Sequence, residues 1–360
     1  MKKFISLFFA VCLLLPLFSQ QRGADIPNLA RFVTLKCDFH IHTIFSDGTV
    51  WPTVRVDEAV REGLDAISLT EHIEYRPYIS DYSHNRAYEI AKPHADARGI
   101  ILIHGSEITR AMPPGHHNVI FISDADKLDA PDWMDAMRAA KEQNAFFFWN
   151  HPGWVSQQPD TTMWFAEHTL LLEQGMMHGI EVVNGASYYP EAHRWCLEKN
   201  LTFIGTSDAH SPVFPYAQGS HRSITLVFAR ERSAEAINEA LRAGRTAVYF
   251  NNFVIGREIY LKELFENALE WNMSVNDNIV TVSVTNNSDL VFHLNKTNHD
   301  PRLTYFRNTS VEPFIIAPQS TRSFTVRLLD GLQSGDVNFI VENFLTQPNQ
   351  GMDYTLKVSL

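Results

Sequence analysis

From Phe32 to Gly244 the chain repeats one pattern: a short apolar, β-branched run, then a longer stretch whose apolar residues recur at helical spacing. The short runs at 32–39, 66–70, 100–107, 117–122, 145–150, 180–183, 201–204 and 224–228 predict strands. Between them, 52–63, 85–98, 131–144, 161–174, 191–199 and 234–244 predict helices. Pro52 stands where the first helix opens, and Gly63, Gly99, Gly175 and Gly244 stand where helices stop. Strands this continuously apolar are covered on both faces, so the repeat predicts a parallel β/α architecture over about 30–255. After Asn272 the pattern shortens to β-rich runs at 279–284, 290–294, 314–316, 323–326 and 354–358, set off by Asn, Asp, Gly and Pro. That spacing predicts an all-β, sandwich-like domain over 270–360, with the boundary between Gly256 and Trp271.

At 360 residues the chain suits one large domain and one smaller one. Its formal net charge of -11 disfavours non-specific binding to nucleic acid or anionic membranes. An acidic protein that acts on anions needs local positive charge, which bound divalent metals would supply. Lys2 and Lys3 precede an apolar run from Phe4 to Phe18, and a polar segment follows. The run is short for a bilayer span and fits a cleavable signal peptide over 1–20, cut near Ser19 or Gln20. The expected location is therefore secreted or periplasmic, with no stable membrane span. Cys37 and Cys196 remain in the mature chain and read as buried free thiols rather than a bridge.

The candidate chemistry sits at strand ends. His40 and His42 are two apart at the end of the first strand, so they share a face, and Asp47 follows after a short loop. Asp208 and His210 repeat this i, i+2 arrangement at a strand end far along the chain. His72, Glu107, His116 and His151 each fall just before or beyond a predicted strand. The two distant pairs converge if the sheet closes on itself, and in a TIM-like barrel active sites gather at that strand-end face. A closed or distorted barrel is therefore favoured over an open sheet. So many N/O ligands exceed the first shell of one tetrahedral metal and imply more than one ion. The set mixes imidazole and carboxylate without thiolate, which admits Mn²⁺, Zn²⁺ or Fe²⁺. Neither a Gly-x-Ser-x-Gly elbow nor a Ser-His-Asp order is present, so the expected nucleophile is metal-activated hydroxide.

Taken in order, His-x-His-x-x-x-Ser-Asp-Gly, Thr-Glu-His, Gly-x-Glu-Ile-Thr, Gly-His-x-Asn, Asn-His-Pro and Ser-Asp-Ala-His resemble the polymerase-and-histidinol-phosphatase (PHP) family over residues 33–250. The resemblance implies a distorted (β/α)7 barrel with two or three divalent metals that hydrolyses phosphoesters. With the leader and β-rich tail, the chain is most similar to secreted bacterial PHP phosphodiesterases of the alkyl-phosphate type. Carried over motif by motif, His40, His42, Glu107 and Asp208 hold one ion. Glu107 bridges to a second, held by His116 and His151, and Asp47, His72 and His210 hold a third. His116 fits the Gly-His-x-Asn motif, with adjacent His117 the alternative. Thr70-Glu71-His72 carries Glu where the family usually has Asp, which bears on a contact behind the metals.

The implied substrate is a small-molecule phosphoester, a diester before a monoester. The alternatives are a phosphomonoesterase or exonuclease of the same fold, a metal hydrolase of C–N or C–O bonds, and a non-catalytic binding module. Arg222 is a candidate phosphate contact or a salt-bridged arginine. Tyr75 and Arg76 are candidate pocket or loop-packing residues, and Asn184 a candidate contact behind the ligands. His84, His94, His168, His178 and His193 read as surface histidines, and His104 as structural.

Overall fold

The computed structural model describes residues 23–214, 220–297, 300–307 and 313–360; the predicted signal peptide lies outside these. The ring that positions the site is built from β1 (Val33–Asp38), β2 (Ala66–Leu69), β3 (Ile101–Ile108), β4 (His117–Ile120), β5 (Phe146–Trp149), β6 (Gly179–Asn184) and, after the two-residue β7 (Ser187–Tyr188), β8 (Thr202–Thr206). Helices α1 (Pro52–Glu62), α2 (Arg86–Arg98), α3 (Trp133–Glu142), α4 (Ala166–Glu173) and α5 (Pro190–Glu198) connect them. Pro52 takes the first position of α1, where its missing N–H costs nothing, and Gly63 ends it in the left-handed conformation at φ 69°. The helix expected over 161–174 is shorter, starting only at Ala166.

The β/α repeat is not parallel throughout. Strands β1–β2–β3 and β5–β6–β8 run parallel, but β4 is antiparallel to both β3 and β5. A direct turn rather than a helix joins β3 to β4, so the chain returns alongside itself. The next strand, β9 (Ile224–Ala229), runs antiparallel along β1 from Val33↔Ala229 to Cys37↔Thr225.

The barrel closes between β1 and β8 in two ways. At the site end a parallel bridge joins Ile41 to Ala209, and the His42 N–H donates to Ala209 O at 3.0 Å. Below that bridge β9 wedges in, and the Thr225 hydroxyl accepts from the Gly205 N–H (2.9 Å) and donates to Gly205 O (2.8 Å). Gly205 permits this approach, because a Cβ there would lie 3.1 Å from Ile224 O of β9 and 2.3 Å from Val248 Cγ1 in the strand beyond it.

Strand β5 shows why the repeat reads as continuous hydrocarbon. Phe146 and Phe148 fill the barrel interior with Cys37, Phe39, Ile103 and Ile204, while Phe147 and Trp149 face Met137, Leu171 and Trp195 of the helical layer. Burial on both faces removes any need for polar alternation. Cys37 and Cys196 are both buried free thiols.

Past β9 come α6 (Ala234–Arg242), the hairpin β10 (Thr246–Phe250) and β11 (Phe253–Gly256), and then α7 (Glu258–Ala268), a helix in the stretch expected to hold the boundary. The C-terminal strands follow as β12 (Leu269–Asn276), β13 (Ile279–Asn286), β14 (Phe292–Lys296), β15 (Leu303–Arg307), β16 (Phe314–Ile316), β17 (Thr321–Leu328), β18 (Ser334–Gln347) and β19 (Gln350–Ser359). One sheet has the order β12–β13–β17–β15, and β16–β14–β18–β19 forms the other. Val280, Val282 and Val284 alternate inward on β13, facing the same core as Phe292 and Phe339. The two domains share a sheet, because β18 pairs in parallel with β11 at Val254↔Phe344 and Ile255↔Leu345. Among the described residues no helix is long and apolar enough to cross a membrane.

Candidate metal centre

The structure brings His40, His42, Asp47, His72, Glu107, His116, His151, Asp208 and His210 to one cleft at the closed end of the barrel. His40 and His42 lie just past β1, Glu107 near the end of β3, and Asp208 and His210 just past β8. A parallel bridge between His72 and Glu107 extends the β2–β3 pairing into the site. His151 and Asp208 adopt left-handed backbone, at φ 28° and 50°. Side chains seldom tolerate that conformation outside sites that over-determine it. Here the Glu181 carboxylate accepts the His151 N–H at 2.6 Å.

Four ligand-type atoms converge at the centre. His40 Nε2 lies 3.0 Å from His42 Nε2, 3.0 Å from Glu107 Oε2 and 3.1 Å from Asp208 Oδ1. His42 Nε2 lies 3.3 Å from Glu107 Oε2 and 3.1 Å from Asp208 Oδ1. Tetrahedral coordination with bonds of about 2.0 Å has edges of roughly 3.3 Å between donors. Partners behind the rings set the tautomers. His40 Nδ1 donates to Glu181 Oε1 at 2.7 Å, which leaves a lone pair on Nε2. His42 Nδ1 faces Ser46 Oγ at 3.3 Å, whose own proton goes to Glu71 Oε2. With both rings neutral, two imidazole lone pairs and two carboxylate oxygens meet at one point, an arrangement satisfied by a bound cation or by a proton on His42.

Two flanking groups share atoms with this centre. Glu107 Oε1 and His116 Nδ1 are 2.7 Å apart yet lack hydrogen-bond geometry, and His151 Nδ1 is likewise buried without a partner. On the other flank Asp47 Oδ1 lies 3.1 Å from His210 Nε2 and 3.3 Å from His72 Nε2. The His210 Nδ1–H donates to Asp208 O at 2.8 Å, so Nε2 faces Asp47 as a lone pair. Three groups therefore have the spacing to hold an ion: His40, His42 and Glu107; Glu107, His116 and His151; and His42, Asp47, His72 and His210.

The electrostatics agree. Burial alone would lower the His42 imidazole, but hydrogen bonds with Asp208 and Glu107 outweigh it and raise it to about 9. Burial also opposes ionisation of Glu107 and Asp208, yet the surrounding imidazoles hold both carboxyls well below the usual range. His72 and His40 act most strongly on Glu107, and His40 and His42 on Asp208. The cavity is built to concentrate negative charge around a positive guest.

His116 rather than His117 faces the cleft. His117 turns to the opposite side of the strand, toward His168, and burial lowers it to about 3. Arg222 is not placed as a phosphate contact. Its buried guanidinium pairs with Asp38 (3.0 Å) and Glu62 (2.6 Å), away from the cleft lining. Through Asp38, which also accepts from Ser207 Oγ at 2.6 Å, it braces the strand end before Asp208. Arg76 turns into its own loop, toward Tyr82 O and His84, while Tyr75 stands exposed beside His72 at 6.3 Å. Asn184 donates to Asp208 Oδ2 at 3.2 Å and to Glu181 Oε2 at 2.9 Å. His168 and His193, expected on the surface, are fully buried in the helical layer. His104 is buried in a stack on Tyr88, 4.1 Å between ring centroids.

Sequence reasoning missed Glu181 and Arg55. Glu181 is fully buried and accepts from His40, His151 N, Asn184 and Thr206 Oγ1; its signal was a lone carboxylate inside the apolar run of β6. Arg55 lies on the buried face of α1, and its guanidinium donates to the backbone carbonyls of His42, Ala209 and Ser211 as well as to Glu58. Its signal was an arginine on the same face as Pro52, Val56 and Ala59. Glu71 accepts from Thr43 N, Thr43 Oγ1 and Ser46 Oγ, so the longer acid at this position anchors the loop behind His42.

Comparison with known proteins adds to this geometry. A family profile described as an Ig-like domain (DUF5001) matches residues 270–357. The chain is similar to a two-domain protein of Bacteroides vulgatus containing a predicted PHP-like metal-dependent phosphoesterase. The two are 52% identical at a TM-score of 0.90, covering 94% of this chain and 100% of that one. A proposed metal-dependent phosphoesterase of Bifidobacterium adolescentis matches at 16% identity and TM-score 0.43, over 58% of this chain and 96% of its own. That likeness is too loose to bear on the chemistry. No curated protein matches.

Proposed function

For this chain, which belongs to the PHP-like metal-dependent phosphoesterases, we propose a secreted or periplasmic phosphodiesterase acting on small organic diesters. The observation that carries the reading is the convergence of His40 Nε2 and His42 Nε2, 3.0 Å apart, with each within 3.3 Å of both Glu107 Oε2 and Asp208 Oδ1. In it, His40, His42, Glu107 and Asp208 would hold a central ion, Glu107, His116 and His151 a second, and Asp47, His72 and His210 a third. Divalent ions held there supply Lewis acidity and a nucleophile drawn from water at neutral pH.

The protein's own residues orient and exclude. Glu181 fixes the His40 tautomer, Asn184 holds Asp208 from behind, and Arg55 locks the two ligand loops together. The cleft encloses about 250 Å³, and no Lys or Arg is among its described lining residues. A polyanion would find nothing there to hold its neighbouring phosphates, so the fit is to a small molecule with one phosphoryl group. Exposed aromatic rings at two points of the rim, Tyr75 and Trp154, suit an ester with two organic arms. The leader from Lys2 to Gln20 supports export.

The test compares bis-p-nitrophenyl phosphate with p-nitrophenyl phosphate on the mature protein, supplied with Mn²⁺ or Zn²⁺ and assayed by elemental analysis. Faster turnover of the diester is expected, and its loss in Asp208→Ala and His40→Ala chains that remain folded. Faster turnover of the monoester would replace the diester reading, and turnover of neither with metal bound would replace the phosphoester reading.

A further inference from the structure

Beyond the ligand-type residues and Asn184, the cleft lining comprises Trp154, Ser187 and Tyr189. Trp154 stands edge-on to His151 (5.3 Å between ring centroids, 69°) and to His116 (5.7 Å, 62°), and is 42% exposed. The Tyr189 ring lies against Gly153, where a Cβ would come within 2.8 Å of Tyr189 Cδ1. Glycine is what lets that ring sit flush on the loop carrying His151 and Trp154. Two aromatic rings therefore wall the His116–His151 end of a cleft with no cationic side chain among its described lining. An exposed indole beside a site that grips a phosphoryl group gains when an apolar, flat surface covers it.

Resting on the phosphoester reading, we propose that Trp154 and Tyr189 form a subsite for a flat, uncharged ring on one arm of the ester, so that aryl-bearing diesters are preferred over simple alkyl ones. Calorimetric binding of phenylphosphonate and methylphosphonate to the metal-loaded protein tests this without turnover. Phenylphosphonate is expected to bind at least tenfold more tightly. Trp154→Ala should bring the two affinities within about twofold, and Trp154→Phe should restore most of the difference. Equal affinities in the unaltered protein, or a preference that survives Trp154→Ala, would overturn the subsite while leaving the metal reading intact. Binding of neither phosphonate would remove the phosphoester reading and the subsite with it.

A different observation concerns the far side of the same wall. The turn between β18 and β19, in the Ig-like domain, reaches the barrel. Leu345 is buried there with Val248 and Ile255, and the Asn349 N–H donates to Tyr188 Oη at 3.4 Å. Tyr188 Oη also meets His193 Nδ1 at 2.9 Å, and Tyr188 sits between the cleft residues Ser187 and Tyr189. We infer that the Ig-like domain is a positioning element for this wall rather than an independent binding module. Tyr188→Phe removes the shared hydroxyl. The expected result is a KM for bis-p-nitrophenyl phosphate raised several-fold, with kcat and metal content within twofold of the unaltered protein. Leu345→Ala should act in the same direction. An unchanged KM in both variants, even with a lowered Tm, would reduce the contact to scaffolding and overturn the inference.

Discussion

His40 Nδ1 and Glu181 Oε1 are 2.7 Å apart with both side chains fully buried, so a glutamate from the sixth strand governs which nitrogen of His40 carries its proton. Replacing Glu181 by Gln keeps the shape but lets the ring adopt the other tautomer. Metal affinity is expected to fall about 10–100-fold, the usual effect of removing a partner behind a ligand, as read by metal titration calorimetry. Unchanged affinity would mean that His40 is oriented by something else.

Arg55 gives a second prediction. Its buried guanidinium satisfies three backbone carbonyls on the two ligand loops and pairs with Glu58 at 2.8 Å. Arg55→Ala strips the guanidinium from the His42 and Ser211 carbonyls and leaves the buried Glu58 carboxylate with only the Val213 N–H, a loss of about 3–5 kcal/mol. Arg55→Lys should recover little, because an ammonium lacks the planar fork. Urea unfolding of the metal-free protein reads both, and a loss below about 1 kcal/mol for Arg55→Ala would contradict the clamp.

Barrel closure depends on the missing side chain at Gly205. Its Cβ would fall 2.3 Å from Val248 Cγ1 and 3.1 Å from Ile224 O. Gly205→Ala should cost about 1–3 kcal/mol by overpacking, and Val248→Ala in the same chain should return part of it. Thermal unfolding of the single and double variants measures the coupling; simple additivity would show that the two sites do not clash.

Acid should unfold the protein steeply, for reasons separate from the metals. Burial lowers His104, His168, His178 and His193 to about 4 each, against about 6.5 in an unfolded chain. Their folded pKa values are depressed, so the unfolded state binds more protons between pH 4 and 6.5, and stability falls as pH drops through that window. Four such groups steepen the slope by up to about 5 kcal/mol per pH unit. Stability of the chelator-treated protein, followed by urea unfolding from pH 7.5 to 4.5, should rise modestly toward about pH 6.5, because His42 and His40 are raised in the folded state, and fall steeply below it. A flat profile throughout would mean that these rings charge in place.

The pattern of apolar runs and punctuating Pro and Gly was enough to locate most elements, because a strand covered on both faces and a helix with one apolar stripe differ in period. It was also enough to gather the ligand-type residues, because imidazoles two apart at a strand end share a face whatever the fold. The antiparallel turns of the fourth and ninth strands were not legible, since strand direction leaves no mark on a run buried on both sides. Arg222 shows the same limit: its carboxylate partners, Asp38 and Glu62, are 184 and 160 residues away, and no local signal separates a phosphate contact from a buried ion pair.

Local chemistry in the sequence determined what could bind a metal and where strands and helices would form. Tertiary structure decided that the ends of the first and eighth strands meet at Ile41 and Ala209, that Glu181 and Arg55 stand behind the ligands, and that the Ig-like domain reaches the cleft wall. Those are contacts between residues distant along the chain, fixed by how the sheet twists and closes, and no short stretch of sequence carries that information.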